Sequence, residues 1–159
     1  MAAAPAGGMT RVPRWVLPAM FLVAGCGEPK PATIVYGTDE CRHCHMTIAD
    51  AQFAAELVTR KHKVYRFDDA GCLAAFVAAG DVPGAEIHSL WVNDFLAPDT
   101  MVRVEAAVFL QTDSVHTPMN TRVVALRPGP RADSLRTAWN GALLPWPDVV
   151  ARAHSRHDG

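Results

Sequence analysis

The chain has 159 residues, half of them hydrophobic, which is enough for one domain or two very small ones. Its formal net charge is -1 at pH 7, and no block of lysines or arginines follows the N-terminal segment, so the composition excludes the basic surface of a nucleic-acid-binding protein. The sequence contains no nucleophile-elbow, Walker or dinucleotide-binding glycine motif, and nothing in it indicates an enzyme.

Residues 1–25 are expected to be a signal peptide. Arg11 and Arg14 precede an apolar run over 15–24, an order that is typical of secretory signals. The run is shorter than a transmembrane helix requires. The residues before Cys26 resemble a bacterial lipobox. We therefore predict a mature chain that begins at Cys26, carries lipid on that thiol and is anchored at the periplasmic face of a bacterial membrane. A cleaved signal without lipid and a short retained anchor are the alternatives.

The mature chain is expected to begin with a lipid-linked tether, residues 26–32, which Pro29 and Pro31 keep extended. Two β-rich runs follow, at 53–59 and 63–67, with a short polar connection between them. This arrangement predicts an antiparallel hairpin.

A helix should follow the hairpin. Asp68 or Asp69 can cap its N-terminus, and Gly80 lies where the helix would stop. The next β-rich run, 88–94, predicts a third strand. Hairpin, helix and strand together make a first ββαβ-like unit over residues 33–97.

The second half of the chain repeats this order in weaker form, as a second ββαβ-like unit over residues 98–153. A final short helix and a frayed polar tail, 154–159, complete the chain. The expected fold class is therefore α+β, with two small ββαβ-like units in tandem after an N-terminal lipoprotein signal. The elements predicted for the second half are strands at 102–112, 122–126 and 142–144 and helices at 132–139 and 147–153.

A cluster of possible metal ligands lies between residues 41 and 46. It contains the thiols of Cys41 and Cys44, the thioether of Met46 and the imidazoles of His43 and His45. Thiolate and thioether sulfur are soft donors that favour Cu(I), so copper is the leading hypothesis. A redox dithiol, half of a zinc site and a structural disulfide remain open as alternatives.

Met46 favours metal binding, because a dithiol or a zinc site gives a turn methionine no role. Met119 lies in a second turn, after Thr117 and Pro118, and the two methionines could converge on one soft ion. Of His43 and His45, at most one should face the same ion as Cys44, since alternate positions of an extended loop point to opposite sides.

Other residues offer weaker candidates. His116 lies near Met119, and Cys72, which falls on the apolar face of the expected helix, could complete a zinc site with a histidine. If Cys26 carries lipid, three thiols remain, so at least one is free, liganded or paired with another chain. Asp68 and Asp69 are better explained as helix caps than as catalytic carboxylates.

Several of these segments, taken in order, resemble the NosL family, the copper-accessory lipoproteins of nitrous oxide reductase maturation. The resemblance runs from Cys26 to about Val150. Its most specific part is the C-x-x-C-x-M motif followed much later by T-P-M. The matching segments are the lipobox at Cys26, Cys41-x-x-Cys44-x-Met46, Phe67-Asp68-Asp69 with Gly71-Cys72-Leu73, Trp91-Val92-Asn93-Asp94, and Thr117-Pro118-Met119.

The resemblance implies a fold of two ββαβ-like units, related to one seen in an organomercury lyase. Members of the family bind Cu(I) outside the cytoplasmic membrane and pass it toward nitrous oxide reductase, with an ABC-type membrane complex as partner. Carried onto this chain, the family pattern implies Cys44, Met46 and Met119 as ligands, with Cys41 a close candidate.

The chain departs from the family pattern at two positions where glycine is common. His45 follows the second cysteine and Asn120 follows the T-P-M motif. His45 could add an imidazole ligand or simply stiffen the loop. The sequence thus predicts a lipid-anchored, extracytoplasmic Cu(I) chaperone, and leaves a thiol-disulfide oxidoreductase using Cys41 and Cys44, or a zinc-stabilised interaction module, as alternatives.

Overall fold

The structure is a computed structural model that describes Met1 and residues 27–157. The predicted signal peptide, apart from Met1, and the predicted lipid attachment at Cys26 lie outside the described residues. In the described part of the chain, no helix is both long and apolar enough to cross a membrane.

Two antiparallel sheets form the framework. The elements are β1 (Ala55–Thr59), β2 (Val64–Phe67), α1 (Ala70–Ala79), β3 (Ile87–Asp94), β4 (Ala97–Arg103), β5 (Val108–Gln111), β6 (Val123–Leu126), α2 (Pro130–Ala138), β7 (Ala142–Leu144) and α3 (Trp146–His157). The first sheet has strand order β2-β1-β3-β4 and the second β6-β5-β7, so in each unit the first strand lies between its hairpin partner and the strand that follows the helix. The predicted α+β fold of two ββαβ-like units is confirmed.

Helix α1 forms where its capping residues predict it. The Asp69 side chain accepts a hydrogen bond from the backbone N–H of Cys72, and Gly80 ends the helix in the left-handed conformation, at φ +73°. Phe76 packs on the inner face of the first sheet, with its ring centroid 5.2 Å from that of Phe67 and 5.4 Å from that of Tyr65. These contacts hold α1 against β2.

The outer face of the first sheet is crossed by residues 28–36, which we call the N-terminal strap. Glu28 pairs with Arg103 on β4 at 3.1 Å, and the Ala32 N–H donates to the Glu56 carboxylate on β1 at 2.9 Å. Arg66 on β2 donates to the Thr33 carbonyl at 3.2 Å. The strap therefore spans all four strands, and residues predicted as part of a tether are packed on the sheet.

The predicted strand at 102–112 is wrong, because a 3₁₀ turn over Val104–Ala106 divides it. β4 pairs with β3 in the first sheet, whereas β5 is the centre of the second. The first sheet thus reaches Arg103, beyond the unit boundary expected at residue 97. No glycine or proline marks the break in the sequence; the different pairing partners of the two strands produce it.

The C-terminal helix is also longer than predicted. α3 begins at Trp146 and continues to His157, so the helical backbone includes most of the segment expected to be frayed. Trp146 packs against Phe109 of β5, with ring centroids 5.3 Å apart. This contact fixes the start of α3 on the second sheet, and α3 also packs against α1.

Candidate metal centre

Three thiols converge at the junction of the first sheet, α1 and the loop before β1. The Sγ atoms of Cys41, Cys44 and Cys72 all lie within 4.8 Å of one another. With metal–thiolate bonds of about 2.3 Å, three sulfurs arranged around one ion lie about 4.0 Å apart. The three sulfurs are therefore close enough to serve as ligands of a single ion.

The loop that contains Cys41 and Cys44 is closed by its own backbone. Glu40 and Thr47 form an antiparallel bridge, and the Cys41 N–H donates to the Met46 carbonyl at 2.8 Å. Arg42 N–H donates to the carbonyl of Arg66, which fastens the loop to the end of β2 at 2.8 Å. We call residues 40–47 the CxxC loop. Its attachment to β2 brings both thiols to the first turn of α1, which carries Cys72.

Cys41 is the thiolate of the cluster. A hydrogen bond from the Cys72 thiol, supported by backbone N–H groups of Cys44, Asp68 and His43, outweighs burial and lowers the pKa of Cys41 to about 5. The same hydrogen bond and burial raise the pKa of Cys72. Burial also raises the pKa of Cys44, so at neutral pH one thiolate lies between two thiols, and binding of a metal by all three must release protons.

The two methionines are placed differently: Met119 lines a groove beside Cys72, whereas Met46 is an exposed residue of the CxxC loop. Met119 lines a groove of about 190 Å³ together with Cys72 and His43, between α1, α3 and the segment that follows β5. Met46 is 53% exposed and Met119 is 38% exposed, whereas Cys41 and Cys72 are almost completely buried. The thiols of Cys41 and Cys72 are thus buried, and the thioether of Met119 lies in the groove that reaches Cys72.

The three candidate histidines lie in different surroundings. His45 Nδ1 lies 2.9 Å from the exposed carboxylate of Glu40, and His45 has a φ of +61°. His43 lines the groove beside Met119, while His116 is exposed. In the described chain, the thiol cluster contains no histidine within the same distance limit. The structure therefore brings His43, and not His45, toward the Cys72 side of the site.

Cys72 is the residue of the thiol cluster that the sequence did not predict as a main ligand. Twenty-seven residues separate it from Cys44, and its position on an apolar helical face is typical of a core residue. The odd number of thiols that remain if Cys26 carries lipid was the available signal. Only the packing of α1 against β2 shows that the third thiol meets the other two.

The fold and the site define a small α+β protein with a three-thiol candidate site for a soft metal. The NosL family model matches residues 32–153, and the chain therefore belongs to the NosL family. The crystal structure of the copper chaperone NosL from Shewanella denitrificans is similar, with a TM-score of 0.62 and 20% sequence identity, over 73% of this chain and 92% of that one. At this identity the likeness shows a common fold. No curated protein gives a significant sequence match.

Proposed function

We propose that this protein is a lipid-anchored, extracytoplasmic Cu(I) chaperone that delivers copper for the maturation of nitrous oxide reductase. The observation that carries the proposal is the convergence of three thiols at the end of a groove that also holds Met119. Membership of the NosL family and the fold shared with a copper chaperone support it. The partners would be the copper-receiving protein and an ABC-type membrane complex, and a lipid on Cys26 would provide the membrane attachment.

The proposed ligands are Cys41, Cys44, Met46 and Met119, to which the geometry adds Cys72. Thiolate sulfur binds Cu(I) strongly, and a neutral thioether completes the coordination without adding charge. His45 is the sequence candidate with the least support, because its ring pairs with Glu40. A carrier needs a ligand that an acceptor can displace, and the exposed thioethers suit that role.

The burial and the pKa shifts of the thiols disfavour a thiol-disulfide oxidoreductase. Nucleophilic dithiol chemistry needs an accessible thiolate of low pKa. Here the low pKa belongs to Cys41, which is fully buried, while the more accessible Cys44 has a raised pKa. A closed zinc site is disfavoured because the cluster offers three ligands of the kinds that zinc prefers and lacks a fourth within the described chain.

Anaerobic titration with Cu(I) against a competing chelator tests the proposal. We expect tight binding by the reduced wild type and a loss of at least about tenfold in affinity, or about 1.4 kcal/mol, when Cys44→Ser and Met46→Leu are combined. Met101→Leu is the matched control and should leave affinity unchanged, since Met101 lies on β4 and lines a pocket with residues of the N-terminal strap and none of the proposed ligands. Weak binding by the wild type, or equal affinities for wild type and double variant, would contradict the proposal.

A further inference from the structure

The segment that carries Met119 is fastened to α1 by one buried carboxylate. We call residues 112–122, between β5 and β6, the TPM loop. Asp69 has no exposed surface, and its Oδ1 accepts a hydrogen bond from the Cys72 N–H at 2.7 Å. Its Oδ2 accepts from the Thr121 hydroxyl at 3.1 Å and, more weakly, from the Met119 N–H at 3.4 Å. One side chain thus holds the backbone of Cys72 and the TPM loop together.

The Thr121 hydroxyl continues this connection into the loop. Since Thr121 donates its proton to Asp69, it must accept from the Thr117 hydroxyl, which lies 2.9 Å away. The Thr117 oxygen in turn accepts from the backbone N–H groups of Thr121 and Arg122, at 2.8 and 3.1 Å. The result is a continuous chain of hydrogen bonds from the loop backbone to Asp69, in which each bond polarises the next.

Gly71 permits the loop to approach this closely. A Cβ atom at this position would lie 2.2 Å from the Thr121 methyl carbon, well inside van der Waals contact. Asn120 and Arg122 have φ values of +51° and +57°, so the loop also contains two non-glycine residues in the left-handed region. Such a backbone persists only where its surroundings hold it, and the Asp69 contact supplies part of that restraint.

We propose that Asp69 is a positioning residue for Cu(I) binding, which acts by holding Met119 beside Cys72. The inference rests on the proposed function, in which Met119 is a ligand. Met119 belongs to the second ββαβ unit and the cysteines to the first, so the ligands of one ion come from two units whose relative placement must be fixed. A loop that is already ordered loses less conformational freedom on binding, which raises affinity without a new bond to the metal.

Two variants separate this role from helix capping. Asp69→Ser keeps a good N-cap for α1, but one hydroxyl cannot hold both Cys72 and Thr121. Thr121→Val removes the contact from the loop side and leaves the Asp69 cap intact. We expect Met119→Leu to lower Cu(I) affinity about tenfold. Each of the two variants should lower the affinity by no more than this. Because the effect acts through Met119, neither should lower affinity further when combined with Met119→Leu.

The double-variant measurement decides the inference. The positioning role would be overturned if Asp69→Ser or Thr121→Val lowered Cu(I) affinity by the same factor with and without Met119→Leu. It would also be overturned if neither variant lowered the affinity. If Met119→Leu itself has no effect, the ligand role of Met119 and the inference fail together, while Cu(I) binding through the thiols stands. Failure of the proposed function is distinguishable, because the wild type would then bind weakly. Circular dichroism of each metal-free variant controls for folding, and Thr121→Val suffices if Asp69→Ser does not fold.

Discussion

At the scale of single residues, the two departures from the NosL pattern have a conformational explanation. His45 and Asn120 stand where glycine is common, and both adopt left-handed backbone, at φ +61° and +51°. Asparagine and histidine enter this region more readily than most residues with side chains. Both residues therefore adopt the backbone conformation that a glycine would provide, which accounts for the turn at His45 without a bond from its imidazole to a metal.

We predict that His45→Gly leaves the Cu(I) affinity within about twofold of the wild type. Glycine adopts the required φ without strain, and the exposed contact between His45 and Glu40 contributes at most about 1 kcal/mol to stability. Competition titration measures the affinity, and His43→Gln serves as the comparison from the groove side of the loop. A loss of tenfold or more on His45→Gly would identify the imidazole as a ligand.

The sequence predicted the local part of the site but not its assembly. The soft donors of the CxxC loop and Met119 could be found because their motifs are compact and their chemistry is distinctive. The proximity of Cys72 could not, since no spacing rule relates a thiol on a helix to a loop that precedes it by a whole hairpin. Nor does any motif report that Asp69, expected only as a cap, also binds the TPM loop.

At the scale of elements, local signals determined which parts of the fold were predictable. The β1–β2 hairpin and α1 were found because turn residues, Asp69 and Gly80 mark their ends. The division between β4 and β5 was missed because no glycine or proline interrupts the segment 102–112. Its break depends on pairing with two different sheets, and such long-range contacts leave no local signal.

The N-terminal strap creates an element-scale dependence on pH. Glu56 is fully buried beneath the strap, with the Ala32 N–H at 2.9 Å and Arg66 Nε at 3.6 Å. Burial is the largest cause that raises the pKa of Glu56, to about 7 from its usual 4.5. The folded state therefore holds this proton more tightly, so the stability that Glu56 contributes is fully present below about pH 4.5 and is lost as the pH rises through 7.

We predict that Glu56→Gln removes this loss. Between pH 4.5 and 7.5, the free energy of unfolding of the variant should gain roughly 3 kcal/mol relative to the wild type. Urea unfolding of both proteins across this range measures the difference, which isolates Glu56 from Asp68 and the thiols that also titrate there. Glu40→Gln, an exposed carboxyl on the CxxC loop, should show no such trend. A difference that is constant with pH would mean that Glu56 is ionised in the folded protein throughout.

At the scale of the whole molecule, the two ββαβ units act as one folding body. The larger hydrophobic core contains side chains of both, with Phe67 and Leu73 from the first unit and Phe109 and Val123 from the second. The backbone N–H of Phe95 also donates to the Ala125 carbonyl, which joins the two sheets at 2.9 Å. The groove beside Cys72 lies where the units meet, so Met119 is placed beside the thiol cluster only when both units are folded.

This shared core argues that the fold does not depend on a metal. Each large apolar side chain that is fully buried contributes about 1.5–3 kcal/mol to stability, and the core contains many of them besides the thiols.

We predict that the reduced, chelator-treated protein keeps its far-ultraviolet circular dichroism and unfolds cooperatively. Cu(I) at one hundred times its Kd should then stabilise it by up to about 2.7 kcal/mol, the value for an ion that has no affinity for the unfolded chain. A zinc-stabilised module would behave differently, because removal of its metal removes the free energy that folds it. Unfolding on chelation, reversed by zinc and not by Cu(I), would therefore favour that alternative over a carrier.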